Sequence, residues 1–107
     1  MTALTEQLNE LNGAEDQYRC LGVSTAHITQ ADRDHLDTID SSRVMPRATG
    51  AFVKLYLHPN IPGYNHNLPG FSDAFYGVLH AAQSAGFRMV EFDTDAATYE
   101  SLPIMQD

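Results

Sequence analysis

The chain has 107 residues, of which 43% are hydrophobic and 19% charged, a composition that indicates one folded domain and excludes a disordered chain. Fourteen acidic residues against six Lys and Arg give a formal net charge of -8. A field of this sign repels phosphate backbones, so we expect a basic protein surface as partner and no direct nucleic-acid binding.

The single cysteine, Cys20, excludes an internal disulfide, and its apolar neighbours predict a buried, inert thiol. We therefore expect a reducing, cytoplasmic setting. No apolar run has the length of a membrane span, and residues 1–13 lack the regions of a signal peptide. We expect no membrane association and no cofactor.

Hydrophobic periodicity predicts one domain over residues 1–107. Leu4, Leu8 and Leu11 form one apolar stripe on a short, loosely docked helix that Gly13 ends. The remaining predicted elements are a strand from about residue 19 to 26, a helix over 30–40, strands over 43–49 and 51–58, a long loop over 58–70, a helix after Ser72, a strand over 87–93 and a tail.

Several residues predict where these elements begin and end. Thr29 and Asp32 are typical of a helix start, and Ser72 caps the later helix. Gly86 is expected to end that helix in a left-handed conformation. Pro46 cannot donate to a strand ladder, so the second strand is expected at a sheet edge.

The order of the elements contains βαββαβ, which predicts an α+β, two-layer, ferredoxin-like fold with an extra N-terminal helix. The two most apolar strands, the first and third, would then be central, and His27 and Asp93 would lie at opposite ends of the sheet. The alternative is a small three-layer α/β fold with a mostly parallel sheet, in which His27, Asp93 and Asp95 share the carboxyl edge.

Three segments together resemble one known family. They are Ser24 to Thr29 (S-T-A-H-I-T), Gly70 to Asp73 (G-F-S-D), and a final group formed by Asp93, Asp95, Ala96, Leu102 and Pro103. Their order and spacing resemble an uncharacterised domain carried on plasmids, integrative elements and phages of proteobacteria. The resemblance implies an accessory gene of a mobile element and brings no known reaction with it.

Two enzyme hypotheses follow from the polar residues. Ser24, His27 and Asp93 are candidates for a hydrolase triad, although no G-x-S-x-G turn is present and packing and turn formation also explain them. Asp93 and Asp95, with His58 and His66 of the long loop, are candidate metal ligands, although their spacing fits no established motif.

A binding surface is the other hypothesis. Asp32, Asp34, Asp37 and Asp40 make the first core helix acidic, and such carboxylates can occupy an Arg/Lys groove built for phosphates, although solvation alone also explains them. Phe52 and Tyr56 lie on the sheet face that is expected to be free of helices, where a protein partner could cover them.

The sequence therefore favours a non-enzymatic, protein-binding inhibitor of a host defence complex, of the anti-CRISPR type. A small hydrolase or metal enzyme that uses His27 or His58 with Asp93 and Asp95 is the first alternative. A structural homodimer formed through the open sheet face is the second.

Overall fold

The computed structural model of the chain describes residues 2–55 and 68–105. The helices are α1 (Ala3–Asn12), α2 (Gln30–Thr38) and α3 (Asp73–Ser84), with a 3-10 turn at Thr25–His27 before α2, and the strands are β1 (Arg19–Ser24), β2 (Val44–Arg47), β3 (Gly50–Lys54) and β4 (Phe87–Asp93). This is an α+β architecture, as predicted. None of the three helices in these ranges has the length and apolarity needed to cross a membrane.

The four strands form one open, mixed sheet in the order β1-β4-β3-β2. β1 runs parallel to β4, whereas β3 runs antiparallel to both β4 and β2. Pro46 lies on β2, an edge strand, as predicted.

The ferredoxin-like order is not observed. That order would place β1 and β3 in the middle, but β4 takes the central place beside β3, and β1 forms the other edge. Burial gives the physical reason: Val90 and Phe92 of β4 are buried, whereas the first residues of β1, Arg19 and Cys20, are exposed. The sheet is not mostly parallel either, since one of its three strand pairs is parallel.

The core lies on one face of the sheet, and α2 and α3 both contribute to it. Phe75 of α3 stacks on Phe92 of β4 with ring centroids 5.3 Å apart, and Leu36 of α2 joins the same cluster. The predicted inward positions of α3 are all buried: Phe75, Val78, Leu79 and Ala82. Both core helices therefore sit on the same side of the sheet.

The predicted ends of α2 and α3 are confirmed with small shifts. Thr29 and Asp32 form a reciprocal capping box at the start of α2, and α2 ends at Thr38, two residues before the predicted end. The Ser72 side chain accepts from the Phe75 amide at the start of α3. Gly86 has a φ of 93°, which is the left-handed conformation expected after the helix.

Helix α1 is present but packs differently from the core helices. Thr2 caps it, and none of its residues is buried. The three leucines of its apolar stripe, Leu4, Leu8 and Leu11, are 63%, 53% and 64% exposed. The stripe is thus uncovered by the described residues.

Cys20 is exposed on β1, so the prediction of a buried thiol is wrong. Its side chain points to the face of the sheet opposite the core, because Val23 points to the core and strand residues alternate. Partial burial of the sulfur, and then the negative charge of Glu91, raise the pKa of the Cys20 thiol, while a backbone hydrogen bond from Glu91 lowers it in part.

Candidate functional site

The carboxyl ends of β1 and β4 bring the triad candidates to one edge of the sheet. The two strands are parallel, and Ser24 lies opposite Asp93 in their register. His27 follows in the 3-10 turn directly after β1. The expectation that His27 and Asp93 lie at opposite ends is therefore wrong, since the parallel pairing places them at the same end.

His27 is fully buried, and both of its ring nitrogens are hydrogen-bonded to the tail. Nε2 accepts from the Tyr99 amide at 2.9 Å, and Nδ1 lies 2.9 Å from the Pro103 carbonyl oxygen. A nitrogen that accepts from an amide carries no proton, and one that faces a carbonyl must donate. The contacts thus define a neutral imidazole with its proton on Nδ1.

The arrangement of Ser24, His27 and Asp93 is not that of a triad. The Ser24 hydroxyl accepts from the Ala26 amide at 3.1 Å, which caps the 3-10 turn. Asp93 accepts from the Thr49 hydroxyl and from the Asp95 amide. A general base needs a free nitrogen within reach of its nucleophile, and both nitrogens of His27 are engaged elsewhere.

Two of the four candidate metal ligands lie within the described residues. Asp95 follows Asp93 in a tight turn that the Asp93 carboxylate stabilises by accepting the Asp95 amide at 2.8 Å. His58 and His66 lie outside the described residues. Within residues 2–55 and 68–105, no three His, Cys, Asp or Glu side chains come together in a way that could hold a metal ion.

Asp32 is the acidic residue whose position differs most from the prediction. It is 2% exposed, so it is not part of an exposed acidic surface. Its carboxylate accepts from the Thr29 amide at 3.0 Å, the Ser72 amide at 2.8 Å and the Ser72 hydroxyl. Asp32 therefore joins the first turn of α2 to the first turn of α3.

The other three acidic residues of this segment lie at the surface. Asp34 and Asp37 are exposed on α2, and Asp40 is exposed just beyond its end. The Asp34 carboxylate accepts from the side-chain amide of Gln30 at 3.0 Å. Asp37 borders a small cleft of about 30 Å³ that Arg33 and Arg47 also line. This exposed group, Asp34, Asp37 and Asp40, is called the acidic face below.

The position of the negative charge on α2 is unfavourable for the helix itself. Asp37 lies in the last turn of α2, where the partial charge of the helix dipole is negative. A carboxylate there typically costs a few tenths of a kcal/mol, up to about 1 kcal/mol. Helix stability does not account for an acid at this place.

The sheet face opposite the core carries the predicted aromatic pair in part. Phe52 is half-buried on β3, and the Arg47 guanidinium lies 5.4 Å from the centre of its ring. Tyr56 lies outside the described residues. Of the predicted pair, the structure thus describes Phe52, which lies beside the Arg47 cation.

Sequence reasoning missed the residues that hold His27 in place. The tail runs back along the sheet, where the Ser24 amide donates to the Ala97 carbonyl and the Tyr99 hydroxyl donates to the Gly22 carbonyl at 2.7 Å. The Met105 amide donates to the Ala26 carbonyl. One sequence observation could have indicated this contact, because the S-T-A-H-I-T segment and the Leu102-Pro103 segment belong to the same resemblance. In the structure, His27 of the first segment contacts the carbonyl oxygen of Pro103 in the second.

Most of the chain matches one protein family. A profile of a family of unknown function (DUF5983), C-terminal domain, matches residues 20–107. The chain belongs to this family. The DUF5983 domain takes in nearly all of β1 and everything after it, whereas α1 precedes the matched range. No curated protein matches the chain, and no solved structure does.

Proposed function

We propose that this DUF5983 domain is a protein-binding inhibitor of a host defence complex, encoded by a mobile element and acting in the cytoplasm in the manner of an anti-CRISPR protein. Its partner is the basic surface on which that complex binds nucleic acid. The three carboxylates of the acidic face carry the proposal: Asp34 and Asp37 are exposed on α2, Asp40 is exposed just beyond its end, and the helix dipole disfavours the charge of Asp37.

The charge of the chain supports the same partner. The formal net charge of -8 attracts a basic surface at long range, and carboxylates held by a helix match Arg and Lys side chains at contact. The helix is rigidly held, because Asp32 ties its start to α3 through Ser72. A rigid acidic helix loses little conformational freedom when it binds, which favours affinity.

The triad geometry gives the hydrolase alternative no comparable support. Both nitrogens of His27 bond to the tail backbone, and Ser24 caps a turn. His27 would have to give up two hydrogen bonds and the docking of the tail before it could act as a base.

The test compares two variants of equal charge in cells. The first carries Asp34→Asn, Asp37→Asn and Asp40→Asn in the acidic face; the control carries Glu15→Gln, Asp16→Asn and Glu100→Gln at exposed positions elsewhere. Each set removes three negative charges, which changes the formal net charge from -8 to -5. Each protein is produced in bacteria whose CRISPR complex blocks a phage that it targets, and plaques are counted.

We expect the wild-type chain and the control to restore plaque formation and the acidic-face variant to lose that effect. The purified complex should lose duplex DNA binding when the wild-type chain is added, and added salt should weaken this competition because charged contacts are screened. A wild-type chain that restores no plaques against any of the CRISPR types tested, or two variants that behave alike, would contradict the proposal.

A further inference from the structure

Two apolar surfaces of this chain are uncovered at the same time, and one is the leucine stripe of α1. Leu4, Leu8 and Leu11 are more than half exposed, and α1 buries none of its residues. A helix of 10 residues is marginal in water by itself, so it gains most of its stability from packing an apolar face. The stripe therefore needs a surface to cover it.

The second surface is a groove between α3 and the tail, with a volume of about 570 Å³. One wall is a row of small residues on α3, and the other is formed by apolar residues of the tail. The small and apolar residues that line the groove are Ala74, Gly77, Ala81, Leu102, Pro103 and Met105, and the polar Asp73 and Ser101 line it as well. Val78 and Ala81 also line its continuation toward Ala85.

The dimensions of the two surfaces match. Helix α1, with 10 residues, is about 15 Å long. The small-residue row from Ala74 to Ala85 rises about 16 Å along α3. Small residues let a second helix approach closely, and the branched leucine side chains then fit between them.

Gly77 is an independent indication of a close neighbour. It lies in the interior of α3, where glycine costs about 1 kcal/mol relative to alanine. A Cβ atom built on Gly77 would meet no atom within 4 Å, so nothing in the described residues requires a glycine there. A helix packed against this point would require it.

We infer that the chain forms a two-fold dimer in which α1 of each copy lies in the α3–tail groove of the other. Three leucines of this exposure present on the order of 300 Å² of apolar surface, and the groove loses a similar area. Because two-fold symmetry repeats the contact, the dimer buries about 1,200 Å² in total, the lower end of the range for stable interfaces. An α1 in the groove of its own chain would bury the same area per chain, so the crosslinking experiment below distinguishes the two arrangements.

This dimer is independent of the proposed inhibitory function, since it uses α1, α3 and the tail and leaves the acidic face open. It also differs from a dimer through the open sheet face, which would cover Phe52.

Crosslinking between two copies that carry different cysteines tests directly whether α1 of one copy lies in the groove of the other. In a Cys20→Ser background, one chain carries Leu8→Cys and the other Ala81→Cys, both at exposed positions. The chains are mixed, allowed to exchange, and treated with a short bismaleimide crosslinker. The matched control replaces Ala81→Cys by Ser84→Cys, which is exposed on α3 but does not line the groove.

We expect a covalent dimer from the Leu8→Cys and Ala81→Cys mixture and little from the control mixture. A chain with both cysteines that crosslinks only within itself would overturn the inference and place α1 in its own groove. Absence of any crosslink in the mixture would overturn it as well.

Sedimentation velocity gives the second readout. We expect the wild-type chain and Ser84→Gln to sediment as dimers. Leu8→Asp and Ala81→Gln should sediment as monomers that still unfold cooperatively and lose at most the helical circular dichroism of α1. A wild-type monomer, or a Leu8→Asp dimer, would overturn the inference. A Phe52→Asp variant that becomes monomeric while Leu8→Asp stays dimeric would assign the contact to the open sheet face instead.

Discussion

Asp32 shows how a single carboxylate can hold two helices in place. It completes the capping box of α2 with Thr29 and also receives both donors of Ser72, which caps α3. The spacing of Thr29 and Asp32 predicted the first role. The second role depends on Ser72, 40 residues further along the chain, and no local pattern indicates that contact.

Replacing this carboxylate should therefore cost stability that the exposed acids of the same helix do not contribute. Asp32→Asn puts an amide N–H₂ where donors already point, and we expect the free energy of unfolding to fall by about 2–4 kcal/mol. Asp34→Asn, the matched control at an exposed position, should change it by less than about 0.5 kcal/mol. Urea denaturation measures both, and equal midpoints would contradict the role of Asp32.

Cys20 should react slowly for an exposed thiol. Partial burial and the Glu91 carboxylate raise its pKa, so a smaller fraction is thiolate at a given pH below that pKa. Glu91→Gln removes the negative charge, lowers the pKa and should speed alkylation by iodoacetamide about two- to fivefold near pH 8. Glu100→Gln serves as the control, and an unchanged rate in Glu91→Gln would show that the charge of Glu91 has no effect on the thiol.

At the scale of elements, His27 fastens the tail to the end of β1. It contributes an acceptor to the Tyr99 amide and a donor to the Pro103 carbonyl, and it fills the space between them because it is fully buried. The sequence singled out His27 for its chemistry. Its burial and its two partners indicate a structural role, because a residue more than 70 positions away lies at each nitrogen.

We expect His27→Ala to release the tail before it unfolds the sheet. The amide of Tyr99 loses its acceptor, so its hydrogen exchange should accelerate by about tenfold or more, the equivalent of at least 1.4 kcal/mol of local stability. The Met105 amide, bonded to Ala26, should follow it. The amide of Val90 in central β4 serves as the reference, and equal acceleration there would indicate global unfolding instead.

Two glycines give opposite expectations for the same substitution. A Cβ atom on Gly50, at the start of β3, would overlap the Phe92 carbonyl of β4, so Gly50→Ala must push the two central strands apart. We expect a loss of about 2–4 kcal/mol in the free energy of unfolding. Gly77→Ala, measured in a Leu8→Asp background to exclude association, should raise it by about 0.5–1 kcal/mol. Thermal or urea denaturation that gave both the same sign would contradict this account.

At the scale of the whole molecule, we expect the rest of the chain to fold with the same stability whether or not α1 is present. No residue of α1 is buried, and the DUF5983 match begins at residue 20, after α1. Removal of residues 1–12 should leave the midpoint of thermal unfolding unchanged at low protein concentration. The wild-type midpoint should rise with concentration because a dimer stabilises the folded state by mass action, and the shortened chain should lose that dependence. A concentration-dependent midpoint in the shortened chain would place the contact elsewhere.

The element boundaries followed from local chemistry, and so they could be predicted. Thr29, Ser72 and Gly86 act through atoms within a few residues of themselves, and their roles agree with the structure. The sheet order could not be predicted in this way, because β1 and β4 compete for the same central place and the outcome depends on burial in the assembled core. The candidate triad was predicted from residue types alone. It does not form, because the backbone of the C-terminal tail occupies both ring nitrogens of His27.

The sequence by itself determined an acidic α+β chain, the helices and strands that the structure shows in residues 2–55 and 68–105, and the amphipathic stripes of α1 and α3, because charge, periodicity and capping are local properties. Only the tertiary structure decided that β1 pairs in parallel with β4, that Asp32 is buried and Cys20 exposed, and that His27 holds the tail. These are outcomes of long-range packing. They arise where residues distant in the chain compete for the same donors, acceptors and buried space, and no local pattern records which of them succeeds.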